Sequence, residues 1–178
     1  MTENYKEYLK ISKTADKQKL QKLQQVKDLG INPYPYNFNQ TIHANELKEK
    51  YSNLEVEEHR EDDIYSVAGR LMLRRKMGKA AFYDIYDESG KIQIYVRQDS
   101  VPEVKFSAFR LLDLGDIIGV TGLMFKTKTG ETTIKVDDVE ILSKSLYPLP
   151  DKYHGLKDVE LRYRQRYVDL VVNPKVKD

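Results

Sequence analysis

After residue 63 the apolar residues of this 178-residue chain change to a spacing of two, and they return to it in five separate runs. Alternation suits a strand with one face in a core and the other in water, whereas a helix repeats its buried face every 3.6 residues. Val67, Gly69, Leu71 and Leu73 share one phase, Tyr83 and Ile85 the next, and Ile92, Ile94 and Val96 a third. RRKMGK interrupts between the first two runs, and DESG at 87–90 reads as a short hairpin turn, which makes the second and third strands antiparallel neighbours. Residues 101–112 break the pattern, with Val104, Ala108, Leu111 and Leu112 at helical spacing. Two more alternating runs follow, DIIGVTGLMF and ETTIKV, joined by KTKTG and extended by VEIL at 139–142. The order is strand, strand, strand, helix, strand, strand.

A mainly β chain with that order matches the five-stranded, partly open Greek-key barrel called the OB-fold. Its flanks read differently. Residues 1–29 suggest one amphipathic helix, with Leu20, Leu23 and Val26 at helical spacing and Gly30 where a helix would stop. INPYPYNFN at 31–39 is a connector pinned by its rings, because proline suits neither a helix interior nor a central strand. A short helix is expected over 44–51, and HREDD at 59–63 as a polar break. SKSLYPLPDKYHG at 143–155 reads as a linker, and residues 158–172 as a helix with Val159, Tyr163, Tyr167 and Leu170 on one face and no visible partner for it. The expected division is 1–60 as a helical extension, 61–144 as the barrel, and 145–178 as a linker with the start of a further, truncated domain.

Composition removes several chemistries. The absence of cysteine excludes disulfides, zinc ribbons and thiol nucleophiles, and His43, His59 and His154 lie too far apart for a local metal motif. No glycine-rich loop precedes a helix, and the acid pairs Asp62-Asp63 and Asp137-Asp138 have no partner at a useful spacing. No apolar run approaches the roughly 20 residues of a membrane span, and the start lacks a signal-peptide core, so a cytoplasmic chain with no membrane partner is expected. With 30 Lys and Arg against 28 Asp and Glu, any nucleic-acid footprint must come from local clustering.

The OB-fold takes oligonucleotides on strands two and three and on the loops joining strands one to two and four to five. If Tyr83 and Ile85 point inward, Phe82, Asp84 and Tyr86 point out, and on strand three Lys91, Gln93, Tyr95 and Arg97 share that outer face. A ring beside an amide is what a base requires, since the ring stacks while the amide reads an edge. RRKMGK adds Arg74, Arg75, Lys76 and Lys79, and KTKTGE adds Lys126, Lys128 and Glu131. A surface Phe under a loop and two solvated charge runs would be the plain alternative; their convergence on one face favours RNA or DNA. Glu131 repels phosphate, so its use in such a site is to accept hydrogen bonds from a base edge. A general single-stranded DNA binder and a protein-interaction module stay open on these residues alone.

Three stretches carry a resemblance: AGRLMLRRKMGKAAFYDIYDESGKIQIYV at 68–96, LGDIIGVTGLMFKTKTGE at 114–131 and LPDKYHGLKDVELRYRQRYVDLVVN at 149–173. The chain resembles the N-terminal, anticodon-binding part of bacterial-type class II lysyl-tRNA synthetases along almost its whole length. The resemblance implies that Phe82 stacks on the central anticodon base, a uridine, that Gln93 and Arg75 hydrogen-bond it, and that Glu131 contacts the preceding base. Arg75 falls in the inward phase of strand one, so reaching the site requires a bulge or strand end there. The implied partner is the anticodon loop of tRNA(Lys), and the implied parent is a homodimeric ligase. ATP and Mg2+ would belong to a catalytic domain whose signature motifs lie beyond Asp178; no cofactor and no catalytic residue are expected within this chain.

Overall fold

The computed structural model of the chain describes residues 17–77, 80–147, 149, 159–173 and 176. Backbone contacts divide the chain into two units, Met1–Leu146 and Tyr147–Asp178. The first holds the helices α1 (17–28), α2 (Ala44–Lys50) and α3 (Glu103–Phe109), and the strands β1 (His59–Met77), β2 (Ala80–Tyr86), β3 (Lys91–Arg97), β4 (Ile117–Lys126) and β5 (Thr132–Ser143). The strands run in the order β1-β2-β3-β5-β4 and close on themselves, so the expected OB barrel is present, shut where a partly open one was expected. Closure is made by a parallel pairing, Gln93–Tyr95 of β3 against Thr133–Lys135 of β5.

The core is the inward phase of the strands. Val67, Ile85, Ile92, Ile94, Val120 and Ile134 are completely buried, each burial being worth about 1.5–3 kcal/mol. Tyr83 is buried too and meets Phe109 of α3 edge to face, at 4.9 Å between ring centroids. That contact explains why the helix is inserted between β3 and β4: its end caps the core. The helix is shorter than 101–112, starting after Pro102, and Val104, expected on its buried face, is exposed.

Three expectations about β1 are corrected. HREDD is not a break: residues 59–63 lie within the strand, which pairs with β4 through a register shift between Arg60 and Ile64. Arg74, Arg75 and Lys76 are not loop residues either, since β1 pairs with β2 out to Met77 opposite Ala80. A bulge between Leu71 and Leu73 reverses the phase of everything after it: Leu71 stays in the core, whereas Leu73 comes opposite Asp84 on the other face. Such an insertion re-aims side chains because strand faces alternate with period two.

The flanks are fastened to the barrel. In α1, Leu23 and Val26 are buried while Leu20 is half exposed, and the helix ends at Gly30 with φ +75°; residues 1–16 of the expected helix lie outside the described residues. Of the connector's rings, Tyr34 donates its hydroxyl to the Lys144 carbonyl at 3.3 Å and Phe38 lies against Gly119, while Tyr36 is fully exposed. The expected linker begins with a bolt: the Lys144 ammonium is buried and donates to Leu111 O at 3.1 Å, Asp113 at 3.3 Å and Asp116 at 2.5 Å. Its three protons are therefore all used. Most of the remaining linker, 148 and 150–158, lies outside the described residues.

In the second unit the expected single helix is two, α4 (Val159–Arg164) and α5 (Arg166–Val172), broken at Gln165. Asp169 is buried and accepts from Arg162 Nε at 2.9 Å, Arg166 Nη1 at 2.9 Å and Asn173 Nδ2 at 2.5 Å. Arg162 and Arg166 beside it hold its carboxyl below the usual carboxylate range. Tyr163 and Tyr167 are exposed.

Candidate nucleic-acid interface

The outward rows of the barrel follow from register. Arg75 pairs with Phe82, and Phe82 with Tyr95; in the adjacent row Asp84 pairs with Gln93, Gln93 with Thr133, and Thr133 with Phe125. The bulge in β1 thus does what the sequence required of it, carrying Arg75 from the inward phase to the face that holds Phe82 and Gln93. Arg75, half exposed, reaches Asp84 at 3.3 Å.

Phe82 is half-buried rather than exposed. One side of its ring meets Tyr95 at 4.9 Å, and the aromatic contact continues to Phe125 at 5.8 Å and from there to His59, stacked at 5.3 Å with its plane 5° from parallel. Gln93 is more enclosed, at 7 % exposure, and its Oε1 accepts from Thr133 Oγ1 at 2.9 Å. Asp84, also buried, takes its charge balance from Arg75 and from Lys91 at 3.8 Å.

Glu131 stands at the end of the β4–β5 turn. The turn is closed by Thr127, whose N–H donates to Glu131 O at 3.0 Å and whose hydroxyl accepts from Glu131 N at 3.0 Å. The Glu131 side chain is one-third exposed, and its Oε1 lies between Lys48 of α2 at 3.5 Å and Lys91 of β3 at 3.6 Å. That oxygen is buried without a hydrogen bond among the described residues. Arg75, Asp84, Lys91, Glu131 and Lys48 therefore form a line of alternating charge across the face. Lys48 arrives because α2 is tied to the β2–β3 turn: Asp87 accepts from Ala44 N at 2.7 Å, Ser89 N at 2.8 Å and Gly90 N at 2.8 Å. Burial works against the charge of Asp87, but these donors outweigh it and hold the carboxyl below its ordinary value.

The expected cations separate into different situations. The Arg74 guanidinium lies 5.8 Å from the centroid of the Tyr83 ring, on the inward phase, with a buried Nε that has no hydrogen bond. Lys126 donates to the carbonyls of Ser52 at 3.1 Å and Leu54 at 2.6 Å, and so fastens the segment after α2. Lys128 is 83 % exposed and 3.4 Å from Glu57. Lys76 lies in β1, and Lys79 is outside the described residues. Asp84, Lys91, Thr133 and Lys48 complete the arrangement around the expected residues. Alternation alone places Asp84 and Lys91 on the outer face, but the partners of all four depend on strand pairing and helix docking.

Residues 65–142, most of the barrel, match the family described as OB-fold nucleic acid binding domain. A lysine–tRNA ligase of Staphylococcus epidermidis is 53% identical over 156 residues, 86% of this chain and 32% of that protein. That of Halalkalibacterium halodurans is 53% identical over 159 residues, 89% of this chain and 32% of its own length. That of Thermoanaerobacter pseudethanolicus is 48% identical over 178 residues, 99% of this chain and 33% of its own. The chain spans about a third of the length of these curated relatives. The barrel is similar over residues 65–142 to the OB-fold nucleic acid binding domains, and the chain is similar to lysine–tRNA ligases over about a third of their length.

Proposed function

We propose that this chain recognises the anticodon loop of tRNA(Lys) for a lysine–tRNA ligase, reading bases on the outer face of β2 and β3. The observation that carries the reading is the β1 bulge, which turns Arg75 onto the face that holds Phe82 opposite it and Gln93 in the adjacent row. Phe82 offers a stacking surface worth roughly 1–3 kcal/mol per base, and Gln93 and Arg75 bring hydrogen-bonding groups to the edge of the base it holds. Glu131, with Oε1 braced by two lysines, uses its other oxygen to accept from the preceding base. Lys128, Lys76 and Lys79 supply phosphate contacts; Arg74 and Lys126 support the site from beneath.

In the complete protein this recognition would be coupled to ATP-dependent attachment of lysine, in a homodimer, in the cytoplasm. ATP and Mg2+ would be held by the rest of the complete protein; among the described residues of this chain no three His, Cys, Asp or Glu side chains converge on a metal-sized site. No helix of the described residues is long and apolar enough to cross a membrane. We assign residues 1–60 to the helical extension, 61–144 to the recognition barrel and 145–178 to the link toward catalysis.

Titration with an anticodon stem-loop carrying UUU, with its UCU counterpart, and with DNA of the UUU sequence tests the reading. Preferential binding of the UUU RNA is expected. Equal affinity for all three would leave a general single-strand binder.

A further inference from the structure

Thr133 is fully buried, so it cannot touch RNA, yet its hydroxyl is the hydrogen-bond partner of the amide proposed to read the central base. A hydroxyl has one proton to give. Two acceptors lie within reach of Thr133 Oγ1: Gln93 Oε1 at 2.9 Å and the Glu131 carbonyl at 3.0 Å. The carbonyl already accepts from Thr127 N–H at 3.0 Å, and the Thr127 hydroxyl stands 3.3 Å from it and 3.0 Å from Thr129 Oγ1, with one proton for the two. Gln93 Oε1 has no other donor among the described residues. The proton therefore belongs to Gln93.

The two ends of a side-chain amide have nearly the same size and shape, and the hydrogen-bond network decides which end faces which way. From this we infer that Thr133 is a positioning and specificity-determining residue: it holds the Gln93 carbonyl inward and so presents the NH2 group, a donor, to the base. Among the described residues that NH2 group has no hydrogen-bond partner. A donor in this position selects a base carrying a carbonyl, such as O4 of uracil, and opposes cytosine, whose amino group at the same position is also a donor. Discrimination between two pyrimidines of nearly equal size then rests on the orientation of one amide, set by a side chain that never meets the ligand. This inference rests on Gln93 being the reader, and the variants are chosen to separate the two claims.

The experiment titrates the 178-residue chain and its variants with UUU and UCU anticodon stem-loops at one salt concentration. Gln93→Ala tests the reader: its loss of uridine preference is required, and an unchanged preference would overturn the reading of the face together with this inference. Thr133→Val removes the proton while keeping the shape, frees the amide to turn, and lowers the uridine preference by roughly two- to twelvefold, the range of one hydrogen bond. Thr133→Ser restores the preference. Gln93→Glu can still accept the Thr133 proton but has no donor to show, so its preference moves toward cytidine. If Gln93→Ala loses preference while Thr133→Val keeps it, Gln93 reads the base without Thr133 and the inference fails. Should Thr133→Val not fold, Gln93→Glu decides: retained uridine preference would mean that the outward group is not a donor.

Discussion

Asp84 shows how much of the site depends on contacts between residues distant in sequence. A buried carboxylate on a face proposed to bind RNA looks unfavourable, but it stands between Arg75 and Lys91 and limits where both can point. An organiser of this kind gives Asp84→Ala a counter-intuitive outcome. RNA binding should weaken, by roughly two- to twelvefold for one lost orienting contact, although a negative charge has been removed. Filter binding at fixed salt measures it, and tighter binding would mean that Asp84 only repels phosphate. Phe82 and Gln93 were legible from alternation, because the inward phase of β2 and β3 is unambiguous. Thr133 was not, since a threonine in a strand draws no attention until the parallel pairing with β3 puts its hydroxyl on the amide.

At the scale of elements, the period of the apolar residues was enough for the five strands, their order along the chain and the inserted helix, and that order pointed to the barrel. Charge misled the same reading at strand ends. Arg74 to Lys76 and residues 59–63 look like solvated breaks, yet each lies within β1: the first stretch pairs with β2 beyond a bulge, and the second holds the register shift between Arg60 and Ile64. Lys126 is the clearest case of a cation read as a phosphate ligand and found in a structural post. Its ammonium holds two carbonyls of the segment after α2, so Lys126→Met should lower the urea midpoint by an amount worth about 1.5–3 kcal/mol. The salt dependence of RNA binding should be unchanged. A normal midpoint with a log–log salt slope reduced by about 0.7 would return Lys126 to the phosphate contacts.

At the scale of the molecule, the barrel and its helical flank are joined by carboxylates held in their charged form. Asp87 ties α2 to the β2–β3 turn, and Asp113, although burial opposes its charge, is held low by Lys22 and Lys144. A carboxyl whose folded value lies below its unfolded one stabilises fully above the unfolded value, near pH 4, and loses that contribution as pH falls through the folded value. Urea midpoints should thus be level from about pH 7 to 5 and fall steeply below about pH 4, with the fall reduced in Asp87→Asn. An acid limb identical in that variant would place the sensitivity elsewhere. The central claim, that the outer face of β2 and β3 reads an anticodon, is tested most directly by titrating Phe82→Ala and Gln93→Ala against stem-loops that differ only at the middle anticodon base, at one salt concentration. Every base has a π-face, so Phe82→Ala should cost about 1–3 kcal/mol whichever base is present and leave the preference standing. Gln93→Ala should cost most with uridine and roughly 1–3 kcal/mol less with a wrong base, narrowing the preference. If both variants bind every stem-loop as the parent chain does, the RNA site lies elsewhere on the molecule.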